Sequence, residues 1–195
     1  IITGVRKDNT AIVWDGRTGE KLWTLQGHRS EVFSLVLAAD GSRIVTGSYG
    51  KSAIVWDGRT GEKLRTLQGR NDFTVIAAIT ADGSRIVTSS DDETAIVWDG
   101  STGEKLYTLD GHADSVIELA VTPDGSRILT GSFDKTVIVW DGRTAEKLRT
   151  LEGHSSWINS MGMTPDGSKI VTNSIDDKAV ILRDGQTGEN LRVLE

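Results

Sequence analysis

Apolar and polar residues follow one another in short runs that predict β-strands rather than helices. The run 116–121 is mostly apolar, and the next two runs, 127–132 and 136–140, are rich in β-branched residues, which favour strands. The fourth run, 146–151, interleaves polar and apolar residues. Turn-forming residues such as Pro-Asp-Gly separate the runs. The pattern predicts four strands whose burial decreases from the first to the fourth.

The same pattern returns along the chain with a period of 42 residues. Trp-Asp pairs mark the period at Trp14, Trp56, Trp98 and Trp140. Arg183-Asp184 forms a fifth copy 43 residues later, in which the Trp is replaced. A repeat of about 40–45 residues that holds four short strands is typical of one blade of a β-propeller.

Three motifs within each copy carry a resemblance to a known family. In the fourth copy, Gly-His stands at 111–112, Pro-Asp-Gly at 123–125 and Trp-Asp at 140–141. In this order they resemble the WD-repeat β-propeller family, and the resemblance extends over essentially the whole chain. It implies an all-β propeller of four-stranded antiparallel blades around a channel. We letter the strands of each blade a to d, from the innermost to the outermost.

The repeats predict a single propeller domain over residues 1–195 that does not begin at a blade boundary. Residues 1–26 match only strands b, c and d, and full blades follow at 27–68, 69–110, 111–152 and 153–195. The first blade therefore lacks its inner strand, and an unpaired strand edge invites association with another chain. Three interpretations stay open: a fragment of a longer propeller, a homo-oligomer with a dimer favoured, or a five-bladed ring that closes imperfectly.

The resemblance also implies a hydrogen-bonded network of four side chains in each blade. The network joins the Gly-His histidine, a Ser or Thr of strand b, an Asp of the b–c turn and the Trp of strand c. Only the fourth blade has all four, namely His112, Thr130, Asp134 and Trp140. Other blades have a replacement: Gly50 for the Asp, Arg70 for the His and Arg183 for the Trp. The strand b member could instead be the Ser two residues later. We expect the histidines to be structural and the defective blades to be softer or hydrated.

Charge and composition narrow the possible functions. The chain has 22 basic and 28 acidic residues, a net charge of −6 and no Cys, so we expect no nucleic-acid partner and no thiolate chemistry. Its apolar runs are too short for a membrane-spanning helix, and we expect no membrane partner and a cytoplasmic location. The Asp-Gly-rich segments, such as 57–62, are predicted to be turns rather than calcium loops. No catalytic or phosphate-binding motif stands outside the repeat positions, so we expect neither a cofactor nor enzymatic activity.

Positions that differ between the copies indicate where a partner would bind. In WD-repeat proteins the starts of strand a and the b–c turns lie on one rim, the usual partner-binding face. The variable residues at these positions are aromatic, acidic or otherwise distinct from copy to copy. They are Glu31, Phe33, Tyr49, Phe73, Asp91, Ile117, Phe133, Trp157, Asn159 and Asp176. Aromatic anchors within a mixed rim are typical of interaction hot spots, although the Phe residues could instead pack between blades.

A second variable set lies in strand d, at Trp23, Arg65, Tyr107, Arg149 and Arg192. Alternation along an edge strand places these side chains outward, which predicts a solvated rim or, at Trp23 and Tyr107, a lateral contact.

Two functions are compatible with these patterns. The first is a non-catalytic scaffold that binds a protein or peptide through one rim of the propeller. The alternative is a structural module, an amplified propeller segment that assembles into oligomers through its incomplete blade.

Overall fold

A computed structural model shows an all-β chain folded into five antiparallel sheets. The structure describes residues 1–50, 52–69, 76–177 and 179–194, with Val5 and Arg6 described by their backbone alone. One sheet has three strands and the other four have four strands each. This confirms the predicted fold class, four full blades and one that lacks its inner strand.

The strands follow one another in chain order within each sheet, from the inner to the outer edge. The first sheet consists of β1 (Ile2–Val5), β2 (Thr10–Trp14) and β3 (Lys21–Gln26), with a 3-10 turn at Arg6–Asp8. The full sheets are β4 (Val32–Leu37), β5 (Arg43–Ser48), β6 (Ser52–Asp57), β7 (Lys63–Gln68); β8 (Ala77–Ile79), β9 (Arg85–Ser89), β10 (Thr94–Asp99), β11 (Lys105–Asp110); β12 (Val116–Val121), β13 (Arg127–Ser132), β14 (Val137–Asp141), β15 (Lys147–Leu151); and β16 (Ile158–Met163), β17 (Lys169–Ser174), β18 (Val180–Asp184), β19 (Asn190–Leu194).

The innermost strands of successive sheets pack against one another in the order β1, β4, β8, β12 and β16. Between the sheets lie separate apolar layers, and each layer joins one face of a sheet to the opposite face of the next. In one such layer Val97 and Leu109 of the third sheet pack with Ile138 and Trp140 of the fourth. Main-chain hydrogen bonds between a–b turns also join the sheets, such as Ala81 N–H to the Pro123 carbonyl at 3.0 Å.

In each four-stranded sheet, the glycine after the Asp that ends strand c joins the a–b turn to the c–d turn. Gly142 donates its N–H to the Ser126 carbonyl at 3.0 Å. A Cβ at this position would lie 1.9 Å from the Gly125 carbonyl oxygen, so no larger residue fits without a shift of the main chain. The turn a–b and the turn c–d of a blade are therefore in direct backbone contact.

Strand d is the most exposed strand, as predicted, but the prediction that strand a is the most buried is wrong. In the fourth sheet, β13 is buried from Ile128 to Ser132, whereas β12 buries only Val116 fully. Strands b and c are hydrogen-bonded along both edges and covered on both faces, while the inner strand has one edge without a neighbouring strand. Its apolar composition therefore does not produce the deepest burial.

The prediction that the variable strand d residues point outward to solvent holds for Arg192, which is exposed, but needs correction for the others. Trp23 is half-buried, and its Cγ lies only 2.6 Å from where a Cβ on Gly61 would stand. Arg65 packs in the same way on Gly103, and Arg149 on Gly188. These side chains lie across the c–d turn of the following sheet, because the sheets stack closely enough to cover the outer edge of their predecessor.

Candidate functional site

A cavity of about 480 Å³ opens where the starts of the inner strands meet the b–c turns. Residues of four sheets and of the segments between them line it. They are Phe33, Tyr49, Ile76, Asp91, Ile117, Glu118, Phe133, Trp157 and Asn159. We call this set the rim cavity.

Seven of the ten residues predicted for partner binding line the rim cavity, namely Phe33, Tyr49, Asp91, Ile117, Phe133, Trp157 and Asn159. Two others lie nearby without lining it. The Glu31 carbonyl accepts a hydrogen bond from Tyr49 N–H at 3.3 Å, and the Asp176 carboxylate accepts one from the Ser156 hydroxyl at 3.0 Å. Phe73, the tenth, lies outside the described residues.

A β-bulge in the inner strand explains how adjacent residues can share the cavity. In a regular strand, neighbouring side chains such as Ile117 and Glu118 point to opposite faces. In β12, however, Val116 pairs with Ser132 and Glu118 pairs with Gly131, so that Ile117 is the extra residue. Such a bulge re-aims the side chains beside it. The same shift occurs in β4 and β16, at the positions of Phe33 and Asn159.

Two aromatic pairs form the walls of the rim cavity. The rings of Phe33 and Tyr49 have centroids 5.0 Å apart with planes tilted by 50°. Those of Phe133 and Trp157 are 4.8 Å apart and tilted by 43°. Phe33 and Phe133 remain 44% and 39% exposed, so they are not packed away between the sheets. Tilted aromatic contacts at such distances hold the rings in place.

Glu118 and Ile76 line the cavity but were not predicted to do so. Both stand six residues after the histidine position of the Gly-His motif, which Arg70 occupies in the third copy. The other full copies have Ser34 and Ser160 at this place. The comparison between copies already contained this signal, but the bulge that turns the position toward the cavity is visible only in the structure. Burial raises the pKa of the Glu118 carboxyl to about 7.

The fourth sheet contains a continuous chain of hydrogen bonds from Trp140 to Asp134. The Trp140 indole N–H donates to the Thr130 hydroxyl at 2.9 Å, and that hydroxyl lies 2.7 Å from His112 Nε2. His112 Nδ1 in turn lies 2.7 Å from the Asp134 carboxylate. Because the Asp134 carboxylate only accepts hydrogen bonds, Nδ1 carries the proton that joins His112 to Asp134, and in the neutral ring Nε2 then accepts from the Thr130 hydroxyl.

The Asp134 carboxylate also fixes the b–c turn. It accepts hydrogen bonds from Ala113 N–H at 3.0 Å and from the Thr136 hydroxyl at 2.7 Å. Burial alone would raise the pKa of Asp134, but these hydrogen bonds and the one from His112 outweigh it and lower the pKa. The network therefore stabilises the b–c turn at the rim, and the ionised Asp134 carboxylate is its last member.

The sheets with replaced network residues show what each loss leaves behind. In the second sheet, His28 Nε2 lies 2.6 Å from the Thr46 hydroxyl, but its buried Nδ1 has no hydrogen-bond partner among the described residues. Burial, and then the charge of Lys63, lower the pKa of His28 to about 4. In the fifth sheet, Arg183 is buried and donates to the Glu152 carbonyl at 2.6 Å, while its Nε finds no acceptor in the part of the chain that the structure describes. Arg70 lies outside the described residues.

In all four full sheets the strand b member that contacts the network is the Thr rather than the following Ser. Thr46, Thr88 and Thr130 each accept from the Trp of their own sheet, and Thr172 contacts His154. Ser48 and Ser132 instead donate to main-chain carbonyls. Each of the three histidines therefore contacts the hydroxyl of a strand b Thr.

Among the described residues, no group of three or more His, Asp or Glu side chains is placed to hold a metal ion. The described segments likewise include no helix with the length and apolar character needed to cross a membrane.

Stacked four-stranded antiparallel sheets with a Trp-Asp pair at the end of strand c define a propeller-type repeat protein. A family model described as WD domain, G-beta repeat matches residues 19–57, 61–99, 103–141 and 145–184. These segments cover most of the chain, which therefore belongs to this family. Each match begins just before strand d of one sheet and ends in strand c of the next. No curated protein matches the chain.

Proposed function

We propose that this protein is a non-catalytic scaffold that binds a protein or peptide segment in the rim cavity. WD repeats generally serve as protein-interaction scaffolds. The observation that supports this role here is the rim cavity itself, where aromatic side chains from different sheets surround one concavity. Hot spots of protein interfaces are enriched in such aromatic anchors seated in pockets.

The variability of the rim supports the same proposal. The strands and turns repeat with nearly the same residues in every copy, whereas the cavity positions differ. A stable fold does not require this difference, because the conserved layers between the sheets carry the packing. The variation instead gives each sheet a different contribution to one surface.

We expect peptides that bind this protein to require Trp157 and Phe133. Selection from a random peptide library would supply ligands, and their dissociation constants would be compared for the unaltered chain, Trp157→Ala and Phe133→Ala. Each substitution removes one ring of a packed pair, and we expect at least about a tenfold loss of affinity. Trp23→Ala, which removes an aromatic ring at the outer edge, is the matched control. Selected peptides that depend on Trp23 and not on the rim would refute the proposal.

A second candidate, assembly with another copy of the chain, is favoured by the uncovered face of the fifth sheet. Leu151 of β15 and its counterparts Leu25, Leu67 and Leu109 are at most 4% exposed, because the following sheet covers them. Leu194, the equivalent residue of β19, is 49% exposed. Val171 is 39% exposed, whereas its counterpart Leu129 is fully buried. The fifth sheet therefore has the apolar residues that contact a following sheet, but no sheet among the described residues covers them.

The opposite face of the first sheet offers the matching surface. Ile1, Ile12 and Trp14 correspond to Ile128, Ile138 and Trp140, which the preceding sheet buries in the fourth sheet. Ile1 is 68% exposed and Ile12 and Trp14 are only half-buried. A first sheet from a second copy would complete the same kind of layer that already joins the sheets within one chain. The contact is head-to-tail, between two different faces.

We expect the chain of residues 1–195 to associate in solution through these two faces. Light scattering at increasing concentrations should give a mass above that of the monomer. Leu194→Asp places a charge in the proposed contact and should shift the mass to the monomer, whereas Leu64→Asp, at an exposed leucine of β7, should not. A monomeric mass at every concentration would rule this candidate out.

A further inference from the structure

The structure points to a cationic side chain, Lys or Arg, as the group that a bound peptide inserts into the rim cavity. We infer this from a carboxylate that has no countercharge among the described residues and from aromatic ring faces, which meet in one concavity of suitable size. The inference rests on the proposed peptide-binding function and names the chemistry that the site selects.

Glu118 contributes a carboxyl group to the rim cavity. Its side chain is half-buried in the rim cavity, and no hydrogen bond or ion pair joins it to any other group in the part of the chain that the structure describes. It lies opposite Gly131, where a Cβ would stand 3.1 Å from the Glu118 Cβ. Buried carboxyls are normally paired, so this one has an unmet requirement for a donor or a positive charge.

The behaviour of this carboxyl agrees with that requirement. The raised pKa of Glu118 has burial as its cause. A carboxyl perturbed in this way inside a cleft is a feature of functional sites. A cation in the cavity would favour the ionised form, and the carboxylate would then hold the cation by a charge-assisted hydrogen bond.

The aromatic walls of the rim cavity can also attract a cation. The faces of Phe, Tyr and Trp rings attract cations, and the attraction is strongest where water is excluded. Phe133 and Trp157 form one such wall and Phe33 and Tyr49 another. A cavity of about 480 Å³ has room for one extended side chain with its polar end. The net charge of −6 favours approach of a basic segment.

The test uses short peptides of matched shape and different charge. Glycine-flanked arginine and lysine peptides would be titrated against the folded chain, with citrulline and norleucine peptides as their neutral counterparts. Binding would be followed by NMR at the indole N–H of Trp157. We expect a cationic peptide to bind at least about tenfold more tightly than its neutral counterpart. The ratio of arginine to lysine affinity identifies which cation the cavity prefers.

Three variants connect the preference with the cavity. Glu118→Gln should weaken the cationic peptide about tenfold and leave the neutral one unchanged, because only the charge is removed. Phe133→Leu should weaken it several-fold, since an apolar surface remains but the ring face is lost. Glu104→Gln, at an exposed carboxylate of a c–d turn, changes the net charge equally and should have no effect.

Equal affinity for charged and neutral peptides, or an unaltered affinity in Glu118→Gln, would overturn this inference. Peptides selected from a library that need Trp157 but contain no basic residue would also overturn it, while leaving the proposed function intact. Failure of the proposed function has a different signature, which is selected peptides that do not depend on Trp157 or Phe133 at all.

Discussion

Thr130→Val is expected to destabilise the protein by about 2–4 kcal/mol, although the two side chains have nearly the same shape. The Thr130 hydroxyl is the shared partner of Trp140 Nε1 and His112 Nε2, and all three side chains are at most 7% exposed. Valine would remove the hydroxyl that both nitrogens contact, which leaves the Trp140 indole without its acceptor and His112 Nε2 with only the main-chain carbonyl of residue 130, 3.2 Å away. Each lost hydrogen bond of a buried polar atom costs about 1–3 kcal/mol. Chemical denaturation would measure the free energy of unfolding, and hydrogen exchange of the Trp140 indole N–H would report on the fourth sheet directly.

Thr88→Val in the third sheet is the matched control. Thr88 accepts from the Trp98 indole at 2.8 Å, and in the described residues no histidine stands beside it. The same substitution there removes one hydrogen bond rather than two, and we expect a loss of about 1–2 kcal/mol. Equal losses for the two variants would show that His112 contributes nothing through Thr130.

The strands and their grouping into sheets could be predicted from the sequence because each copy repeats the same local signals. Runs such as 127–132 and 136–140 are β-branched, and turn residues stand between them. The Trp-Asp period then gives the number of sheets without any knowledge of contacts. A strand that is ambiguous in one copy can be assigned from the equivalent residues of the other copies. A chain without repeats does not allow this comparison.

The order of burial could not be predicted in this way, because it depends on how the sheets stack. Apolar composition suggested that the inner strand is the most protected, yet β13 is more buried than β12. Likewise, alternation places Trp23 on the outside of its own sheet but says nothing of Gly61 in the next one, against which Trp23 packs. Both errors come from treating a blade as an isolated sheet.

The rim cavity was anticipated in part for the same reason. Variable residues such as Phe133 and Trp157 were recognisable by comparing the copies, and they line the cavity. Glu118 varies equally between copies, but in a regular strand it would point away from Ile117. Only the bulge in β12, a feature of backbone pairing, brings both side chains to the cavity.

Gly50→Asp is expected to stabilise the protein by about 1–2 kcal/mol, which is the reverse of the usual effect of a substitution. Gly50 stands 22 residues after His28, as Asp134 stands 22 residues after His112. The backbone of Gly50 lies outside the left-handed region, and the nearest atom to a Cβ there is the Ser48 Oγ at 3.4 Å. An aspartate therefore fits, and its carboxylate would accept from the buried His28 Nδ1, for which the described segments supply no acceptor.

The substitution should also reduce the loss of stability in acid. The pKa of His28 is lowered in the folded chain to about 4 from 6.5, because burial and then Lys63 disfavour the charged ring. Between these two pH values the unfolded chain binds a proton that the folded chain does not. The free energy of unfolding therefore decreases as the pH falls from about 6.5 to about 4. A carboxylate at position 50 favours the protonated ring and raises the pKa of His28, so the advantage of the variant should grow over this range.

Gly50→Ala separates the carboxylate from the backbone. Replacing a glycine in a permitted conformation stabilises a protein by about 0.4–1 kcal/mol through the unfolded state, and alanine would show this contribution alone. Denaturation curves for the unaltered chain, Gly50→Ala and Gly50→Asp at neutral and mildly acidic pH would measure the three free energies. If the alanine and aspartate variants were equally stable at both pH values, the carboxylate would not be bound to His28, and the network of the second sheet would not be repaired by restoring its missing residue.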